Sequence, residues 1–318
     1  MTIDGIGPAL ALQAALITER AAIAAADLVG RGDEKAADQA AVDAMREGLN
    51  ALPIKGRVVI GEGERDEAPM LYIGEEVGTG EGPEIDIALD PLEGTTLTAK
   101  SMPNALAVMA MAPRGGLLFA PDTYMDKIAV GPGYPDGIVS LGASPTDNLK
   151  ALAKAKGVGV ETLTVCVLDR ARHREMIAEL REVGARVVLI TDGDVQGVIN
   201  TTDPQTQVDI YMGSGGAPEG VLAAAALKCV GGQMQGRLVF RDTDERKRAR
   251  KTGIEDFDRI YSLHELASAP TVFAATGVTD GSLLDGVKIY DGKVSTQTLV
   301  MNAVDYAVQR LRSTRPLA

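Results

Sequence analysis

The order of segments along this sequence predicts an α/β protein of the layered α+β kind. Two helical stretches fill residues 9–50, short β-rich runs follow, and further helical stretches separate the later runs. Helices that alternate with strands indicate β-sheets covered by helices. A change of composition across residues 141–158 predicts a division into two halves, residues 1–145 and 146–318.

Composition and charge exclude several classes of protein. The chain has 318 residues, 45% of them hydrophobic and 24% charged, which are ordinary values for a globular protein. Its net charge of −12 argues against a nucleic-acid binder and a basic membrane-surface protein. No run approaches the roughly 18 apolar residues of a membrane span, so no membrane association is expected. Cys166 and Cys229 form no CxxC pair and are expected to be reduced core residues of a cytoplasmic protein.

The first two elements are predicted to be helices. Ala and Leu dominate residues 9–29, and the Gly-Arg-Gly at 30–32 ends that helix. Asp33 is well placed to cap a second helix, which Pro53 closes. The second helix has the spacing of a buried stripe, formed by Val42, Met45 and Leu49.

The rest of the chain alternates between strands and helices. β-Rich runs predict strands at 57–61, 85–90, 105–111, 163–168, 186–190 and 271–275, and helices are predicted at 146–156 and 221–230. Residues 241–253 mix basic and acidic side chains. We interpret this segment as a solvated helix with i,i+4 ion pairs, and a nucleic-acid contact is the alternative. The lack of an interleaved aromatic residue and the acidity of the whole protein favour the solvated helix.

The segment 85–96 is the most informative for chemistry. A buried strand ends in Asp90, a proline turns the chain sharply, and a second carboxylate follows at Glu93. Two carboxylates at one strand end supply the hard oxygen ligands that suit Mg²⁺ or Mn²⁺. Thr95 follows at a predicted helix start, where an anion or a nucleophilic water is favoured. The alternative is a structural turn in which Glu93 is an ordinary first-turn acid.

A second strand end also runs into carboxylates. Residues 58–61 lead to Glu62 and Glu64, and glycines flank Glu62 on both sides. Repulsion between these acids must be offset by a cation, unless the segment is a simple surface turn. Asp33 and Asp38, on the second helix, add acids nearby in sequence. Two strand ends that both finish in acids indicate a shared divalent-metal site.

A glycine-rich segment before the helix at 221–230 has the features of an anion site. The glycines of residues 213–220 free several backbone N–H groups, and Pro218 pre-sets the first helical turn. Glu219 in that turn is either a dipole-compensating acid or a metal ligand. The segment lacks the Gly-Lys-Thr of a Walker loop and is not a dinucleotide fingerprint.

Two further segments suit a phosphorylated sugar. Asp192 and Asp194 follow the strand at 186–190, where short acids bind sugar hydroxyls or form a tight turn. Basic residues at 170–174 follow the strand at 163–168, where they hold a phosphate or form a solvated helix start. The sequence alone leaves both pairs of alternatives open.

Taken in order, these segments closely resemble class II fructose-1,6-bisphosphatases. These are the bacterial type within the lithium-sensitive, metal-dependent sugar-phosphatase superfamily. The resemblance runs from about residue 25 to about residue 300, and the Asp-Pro-x-Glu-Gly-Thr segment at 90–95 alone marks the superfamily. The segments that carry it are GRGD at 30–33, AD at 37–38, IGEGE at 60–64, EAPMLY at 67–72, DPLEGT at 90–95, YMDK at 124–127, DGD at 192–194, GGAPEG at 215–220 and ATGVT at 275–279.

The resemblance implies roles for individual residues. The implied metal ligands are Asp38, Glu62, Asp90, Glu93 and Glu219. The implied substrate contacts are Glu93, Gly94, Thr95, Tyr124, Arg170, Ala171, Arg172, Asp192, Gly193, Asp194 and Gly216. The implied catalytic residues are Asp90, Glu93 and Thr95, of which Thr95 would orient or polarise the attacking water.

The resemblance also implies a fold and an activity. The fold is an α-β-α-β-α sandwich with an N-terminal metal-binding half and a C-terminal substrate-binding half. The activity is hydrolysis of the 1-phosphate of D-fructose 1,6-bisphosphate to fructose 6-phosphate, with Mn²⁺ or Mg²⁺ as cofactor. The expected partners are this sugar bisphosphate and further copies of the chain, as a dimer or tetramer. A dual fructose-1,6-/sedoheptulose-1,7-bisphosphatase and a catalytically silent phosphosugar-binding protein are the alternatives.

Two places depart from the family pattern. Gln39 stands where the family commonly has glycine. Residues 298–307, near the end of the given sequence, differ from the basic strand with which family members tend to continue.

Overall fold

A computed structural model describes residues 2–63 and 70–317 of the chain. Its α-helices are α1 Pro8–Ala26, α2 Glu34–Asn50, α3 Thr95–Ala99, α4 Pro145–Lys156, α5 Arg174–Glu182, α6 Asp194–Ile199, α7 Ala217–Val230, α8 Thr243–Lys251 and α9 Leu263–Leu266. Its strands are β1 Lys55–Ile60, β2 Glu76–Val77, β3 Glu84–Glu93, β4 Leu106–Pro113, β5 Tyr124–Val130, β6 Thr164–Leu168, β7 Arg186–Ile190, β8 Ile210–Gly216, β9 Gln233–Val239, β10 Ile260–Ser262, β11 Val272–Gly277, β12 Lys288–Tyr290, β13 Lys293–Asn302 and β14 Ala307–Pro316. Glu64 and residues 67–69 of the motif at 67–72 lie outside the described residues.

The chain divides into two compact units. The first combines Met1–Leu118 with Ala269–Ala318, and the second is Phe119–Ser268. This division differs from the predicted halves 1–145 and 146–318 because strand pairing overrides sequence order. β11 is hydrogen-bonded between β4 and β13, so the last strands complete the first sheet. β5, which precedes the predicted boundary, pairs with β8 and β9 of the second sheet.

The sheet of the first unit runs in the order β12-β13-β11-β4-β3-β1-β2, with β14 paired to β13. β1 and β3 are parallel neighbours, whereas the other pairs in this sheet are antiparallel. The prediction that Pro91 turns the chain sharply is wrong. β3 continues through it to Glu93, and the register shift between Asp90 and Glu93 absorbs the proline, which cannot donate a ladder hydrogen bond.

Helix α1 covers one face of the first sheet. It packs against α2 and contacts β3, β4, β11 and β13. Among the described residues, α1 is the candidate membrane span by length and composition, which corrects the expectation that no run approaches that length. Because 56% of that window is buried and α1 lies against the sheet, its apolar residues are those of a core helix.

Helix α2 follows the sequence prediction closely. Asp33 is its N-cap, and the Asp33 carboxylate accepts a 3.0 Å hydrogen bond from the backbone N–H of Ala36. The predicted stripe is buried, as the exposures of Val42, Met45 and Leu49 confirm.

Three threonine hydroxyls tie α1 to the sheet through the core. Thr18 Oγ1 and Thr276 Oγ1 lie 2.8 Å apart, as do Thr276 Oγ1 and Thr298 Oγ1. All three residues are fully buried, and Thr18 also donates to the Ala15 carbonyl at 3.0 Å. The ATGVT motif at 275–279 therefore contributes a buried hydrogen-bond chain, in which each hydroxyl needs its neighbour.

The sheet of the second unit runs in the order β10-β9-β5-β8-β6-β7. β6 is parallel to both β7 and β8, whereas β5 is antiparallel to β8 and β9. Helices α4 and α5 pack over one apolar face of this sheet, and α7 contacts β5, β8 and β9. The predicted helix in 241–253 is α8, and both cysteines are buried thiols, as expected.

Both units therefore have the predicted α/β class. Each contains a mixed sheet with packed helices, in agreement with the α/β sugar-phosphatase fold that the resemblance implied.

Candidate functional site

In the first unit, the carboxylates predicted at strand ends follow two parallel neighbours. Ile60 of β1 pairs with Ala88 of β3, so the residues after these strands leave the same edge of the sheet. Glu62 is half-buried there, and Glu93 is only 4% exposed. The Asp90 side chain accepts a 3.0 Å hydrogen bond from the Leu92 backbone N–H, which fixes the irregular end of β3.

Gly94 and Thr95 form the predicted start of a helix at this edge. Gly94 is the N-cap of α3 and has φ of +91°, a left-handed conformation that favours glycine. Thr95 is the first residue of α3, so it stands at the helix end where the backbone N–H groups of the first turn have no partner within the helix. This confirms the helix start that the sequence predicted after Glu93.

Asp38, another predicted metal ligand of the first unit, lies on α2. Thr96 of α3 donates a 2.9 Å hydrogen bond to Glu34 in the first turn of α2, so the two helix starts are neighbours. Asp38 lies one turn further along α2 and is half-buried. Burial raises the pKa of the Asp38 carboxyl above its usual value, because the charged form loses water.

The carboxylates have the donor chemistry for a divalent cation. Within residues 2–63 and 70–317, no three His, Cys, Asp or Glu side chains come together as a metal-binding group. Four of the five predicted ligands belong to the first unit, and Glu219 belongs to the second. Hard oxygen donors of this kind suit Mg²⁺ and Mn²⁺.

In the second unit, the pairing of the strands brings the predicted substrate residues to one edge of the sheet. β6, β7 and β8 are parallel, so their carboxyl ends meet where residues 170–172, residues 192–194 and Gly216 lie. β5 runs in the opposite direction, and its first residue, Tyr124, pairs with Gly216. The topology therefore collects side chains from four segments that are far apart in sequence.

Two arginines lie against the Tyr124 ring at this edge. The guanidinium of Arg172 is 4.9 Å from the ring centroid, and that of Arg241 is 5.2 Å from it. Arg172 also donates to the Ser214 carbonyl from Nε at 3.0 Å and Nη2 at 2.6 Å. Arg241 pairs with Glu245, which is 1% exposed and also accepts a hydrogen bond from Thr123.

Sequence reasoning missed Arg241, because it counted this residue in the solvated helix at 241–253. The structure explains the error through strand pairing. Val239 at the end of β9 pairs with Tyr124, so the chain that continues past β9 reaches the same edge. In the sequence, the short separation between Arg241 and the run that forms β9 was the only indication of this position.

Asp194 lies in a buried polar group behind this edge. Lys127 forms an ion pair with Asp194 Oδ2 and donates a 2.8 Å hydrogen bond to the Gly216 carbonyl. Tyr211 donates to the same Asp194 oxygen at 3.5 Å. Lys127 and Tyr211 were not singled out from the sequence, although Lys127 stands in the motif at 124–127.

Glu219 carries a buried carboxylate oxygen in the first turn of α7. Its Oε2 atom has no hydrogen-bond partner among residues 2–63 and 70–317. Burial, reinforced by Asp194 and opposed by Lys127, raises the pKa of Glu219 to about 7. A bound cation would give this oxygen an electrostatic partner, so the Glu219 carboxylate is a suitable ligand for the metal that the resemblance implied.

The remaining predicted residues occupy the loops after β6 and β7. Gly193 has φ of +83° and its N–H donates to Asp192 at 3.2 Å, which makes the tight turn considered as an alternative. Arg170 donates to the Asp169 carbonyl, and Ala171 is exposed in the short 3₁₀ turn that follows. These contacts leave the roles of the four residues as predictions.

His173 supports the Arg172 side of the edge. Its Nδ1 lies 2.7 Å from the Leu168 carbonyl, and its Nε2 accepts a 2.8 Å hydrogen bond from the Ser214 N–H. This pattern requires a neutral imidazole, and burial lowers the pKa of His173. With Arg172 and Ser214, His173 lines a cavity of about 440 Å³ in the second unit.

Comparisons with known proteins give consistent results. The family model described as bacterial fructose-1,6-bisphosphatase, glpX-encoded, matches residues 8–315. Proteins from Synechococcus strains JA-2-3B'a(2-13) and JA-3-3Ab are each 46% identical over 325 residues, which cover 94% of this chain and 93% of theirs. A Prochlorococcus marinus (strain NATL1A) protein is 47% identical over 303 residues, 91% of this chain and 90% of its own. All three are named D-fructose 1,6-bisphosphatase class 2/sedoheptulose 1,7-bisphosphatase.

The family match extends to residue 315 and therefore includes β13 and most of β14. β14 carries Arg310, Arg312 and Arg315, so it is a basic strand. The divergence expected at residues 298–307 stays a prediction.

Proposed function

This chain belongs to the family of bacterial, glpX-encoded fructose-1,6-bisphosphatases, and we propose that it hydrolyses the 1-phosphate of D-fructose 1,6-bisphosphate. The products would be fructose 6-phosphate and inorganic phosphate. The observation that carries the proposal is the family match over residues 8–315 together with the relatives at 46–47% identity.

Members of the family are metal-dependent phosphatases, and we propose Mn²⁺ or Mg²⁺ as the cation. The carboxylates that would hold it are Asp38, Glu62, Asp90, Glu93 and Glu219. When bound, the metal would lower the pKa of a coordinated water and neutralise phosphoryl oxygens. The buried, unpartnered Oε2 of Glu219 supports this assignment.

The chain's own groups at the α3 start would prepare the attack on phosphorus. Thr95 would hold the water through its hydroxyl, at a helix start where N–H groups favour negative charge. Asp90 and Glu93, fixed at the irregular end of β3, would be both metal ligands and the acids nearest to Thr95 in sequence. Glu93 and Gly94 would also contact the substrate.

The phosphate that is not cleaved would bind at the two arginines. Arg172 and Arg241 both lie against Tyr124 and carry N–H donors suited to a phosphate. Arg170 would add a third positive charge in the loop after β6. This remote phosphate would convert binding energy into orientation of the reacting one.

The sugar between the two phosphates would contact the loop after β7 and the turn before α7. Short acids at Asp192 and Asp194 suit sugar hydroxyls, and the backbone of Gly193 and Gly216 allows close approach. Ala171 would contact the substrate through its backbone.

The experiment measures inorganic phosphate released from fructose 1,6-bisphosphate by metal-stripped protein, with and without Mn²⁺ or Mg²⁺. Metal-dependent release at micromolar substrate is the expected result. Metal binding without release would favour the silent phosphosugar binder and overturn the proposed reaction.

A dual activity is the second candidate, because the relatives' printed names include sedoheptulose 1,7-bisphosphatase. Comparison of kcat/KM for the seven-carbon and six-carbon bisphosphates decides between one substrate and two. A ratio within tenfold supports the dual enzyme.

We also propose a cytoplasmic homodimer or homotetramer that binds neither nucleic acid nor membrane. The acidic net charge of −12 supports the first exclusion. Light scattering during gel filtration gives the oligomeric state.

A further inference from the structure

Lys127 is a lysine in an unusual place. Its side chain is 1% exposed, although lysine is rarely buried without a paired charge. Its ammonium pairs with Asp194 Oδ2 and donates to the Gly216 carbonyl at 2.8 Å. Its nearest polar partners are therefore residues that the proposed function assigns to the sugar.

Glycines make room for this side chain. A Cβ built on Gly215 would lie 3.1 Å from Lys127 Nζ and 2.0 Å from Asp194 Oδ2. A Cβ built on Gly220 would lie 3.3 Å from Lys127 Cδ. The first and last glycines of the GGAPEG motif thus shape the space that the lysine and its partner occupy.

The contacts of Asp194 are directional. Lys127 and Tyr211 both address Oδ2. Neither of these two donors uses Oδ1, so they leave the lone pairs of that oxygen to a sugar hydroxyl. A buried ion pair is weak evidence for a role in stability, since apolar replacement of such a pair is often neutral.

We propose that Lys127 is a positioning residue, which turns Asp194 towards the sugar and holds the carbonyl of Gly216 at the start of α7. This inference rests on the proposed function. Without the ammonium, Asp194 would lose its fixed orientation and the turn at Gly216 would lose its side-chain anchor. Sugar binding would therefore weaken, even where the fold is kept.

The test compares Lys127→Met with wild type and with Lys156→Met. Lys156 forms a more exposed lysine–aspartate ion pair with Asp209, next to the first residue of β6 and so at the other end of the parallel strands. The readouts are KM and kcat for fructose 1,6-bisphosphate, and the Kd of fructose 6-phosphate by calorimetry on metal-free protein. Thermal melting of each variant monitors folding.

We expect Lys127→Met to raise KM and the fructose 6-phosphate Kd by about tenfold, the scale of one misplaced charge-assisted hydrogen bond. Lys156→Met should leave both values unchanged. Lys127→Ala should regain binding with propylammonium but not with tetramethylammonium, because only a primary ammonium can donate to Asp194 and Gly216. If Lys127→Met does not fold, the alanine variant purified with propylammonium and then dialysed gives the same readout.

A folded Lys127→Met protein with unchanged KM and Kd would overturn the positioning role, provided that wild type releases phosphate. A loss of binding that propylammonium does not restore, matched by an equal loss in Lys156→Met, would assign Lys127 to structure alone. No phosphate release by wild type would overturn the proposed function and, with it, this inference.

Discussion

Arg241→Gln should weaken the use of fructose 1,6-bisphosphate without abolishing turnover. The substitution removes one of two guanidinium groups at Tyr124 and keeps a shorter, uncharged polar side chain. Because Arg241 would bind the phosphate that is not cleaved, its loss should appear in kcat/KM. The groups at Asp90 and Thr95 would be untouched.

The size of the effect follows from exposure and pairing. The Arg241 side chain is 61% exposed, so water screens its charge and weakens its hydrogen bonds to a phosphate. We therefore expect a loss of kcat/KM of roughly three- to tenfold, the small end of the range for a guanidinium–phosphate contact. Screening also predicts that the loss shrinks as ionic strength rises.

The assay is steady-state phosphate release at low and high salt, and Arg246→Gln is the matched control. Arg246 is exposed on α8 and lies 5.6 Å from the Phe257 ring, so its substitution removes the same charge from a neighbouring site. Arg241→Gln also deprives Glu245 of its guanidinium partner, and thermal melting separates that loss of stability from the loss of substrate binding. Equal losses in the two variants would show that general positive charge, rather than the pair at Tyr124, attracts the substrate.

Three other predictions concern the metal, pH and the core. Glu219→Gln should weaken Mn²⁺ binding in calorimetry by about tenfold or more. The melting temperature of the metal-free protein should not fall, because the substitution removes a buried carboxylate whose Oε2 has no hydrogen-bond partner among the described residues. Burial lowers the pKa of His173, so its contribution to the free energy of unfolding is complete above about pH 6.5 and is lost as pH falls. In urea titrations, the free energy of unfolding should show this pH dependence in His264→Gln but not in His173→Gln. Thr276→Val should lower the free energy of unfolding by about 1–3 kcal/mol, because it takes one hydrogen-bond partner from the buried hydroxyls of Thr18 and Thr298, of which Thr18 keeps its bond to the Ala15 carbonyl. An unchanged urea midpoint would contradict the hydroxyl chain.

Local sequence signals predicted most of the elements, because those signals are themselves local. The cap at Asp33 and the stripe through Met45 depend on neighbours within one or two helical turns. The strand at 186–190 coincides with β7, and the helix at 146–156 differs from α4 by one residue. The Asp90–Thr95 segment could also be predicted, since a strand end, two acids and a helix start are adjacent along the chain.

Features that depend on distant pairing were beyond this reasoning. Arg241 reaches Tyr124 only because β9 pairs with β5, more than a hundred residues away. The predicted boundary at 145 failed to match the units for the same reason, since β11 returns to the first sheet. Lys127 stands in a recognised motif, but its burial beside Asp194 depends on β5, β8 and α6 together.

The direction of the strands accounts for where the chemistry is gathered. Antiparallel pairs predominate in both sheets, yet Glu62 follows β1 and Glu93 ends β3, and these two strands are parallel neighbours. The loops at 170–172 and 192–194, and the turn before Glu219, likewise follow parallel strands β6, β7 and β8. Parallel neighbours release their chains at one edge, so acids and cations from separate segments converge without long loops. Substitution of an exposed charged residue such as Arg241 should therefore lower activity only moderately. A substitution within β3 or β8 would instead displace several of the proposed metal and substrate ligands at once.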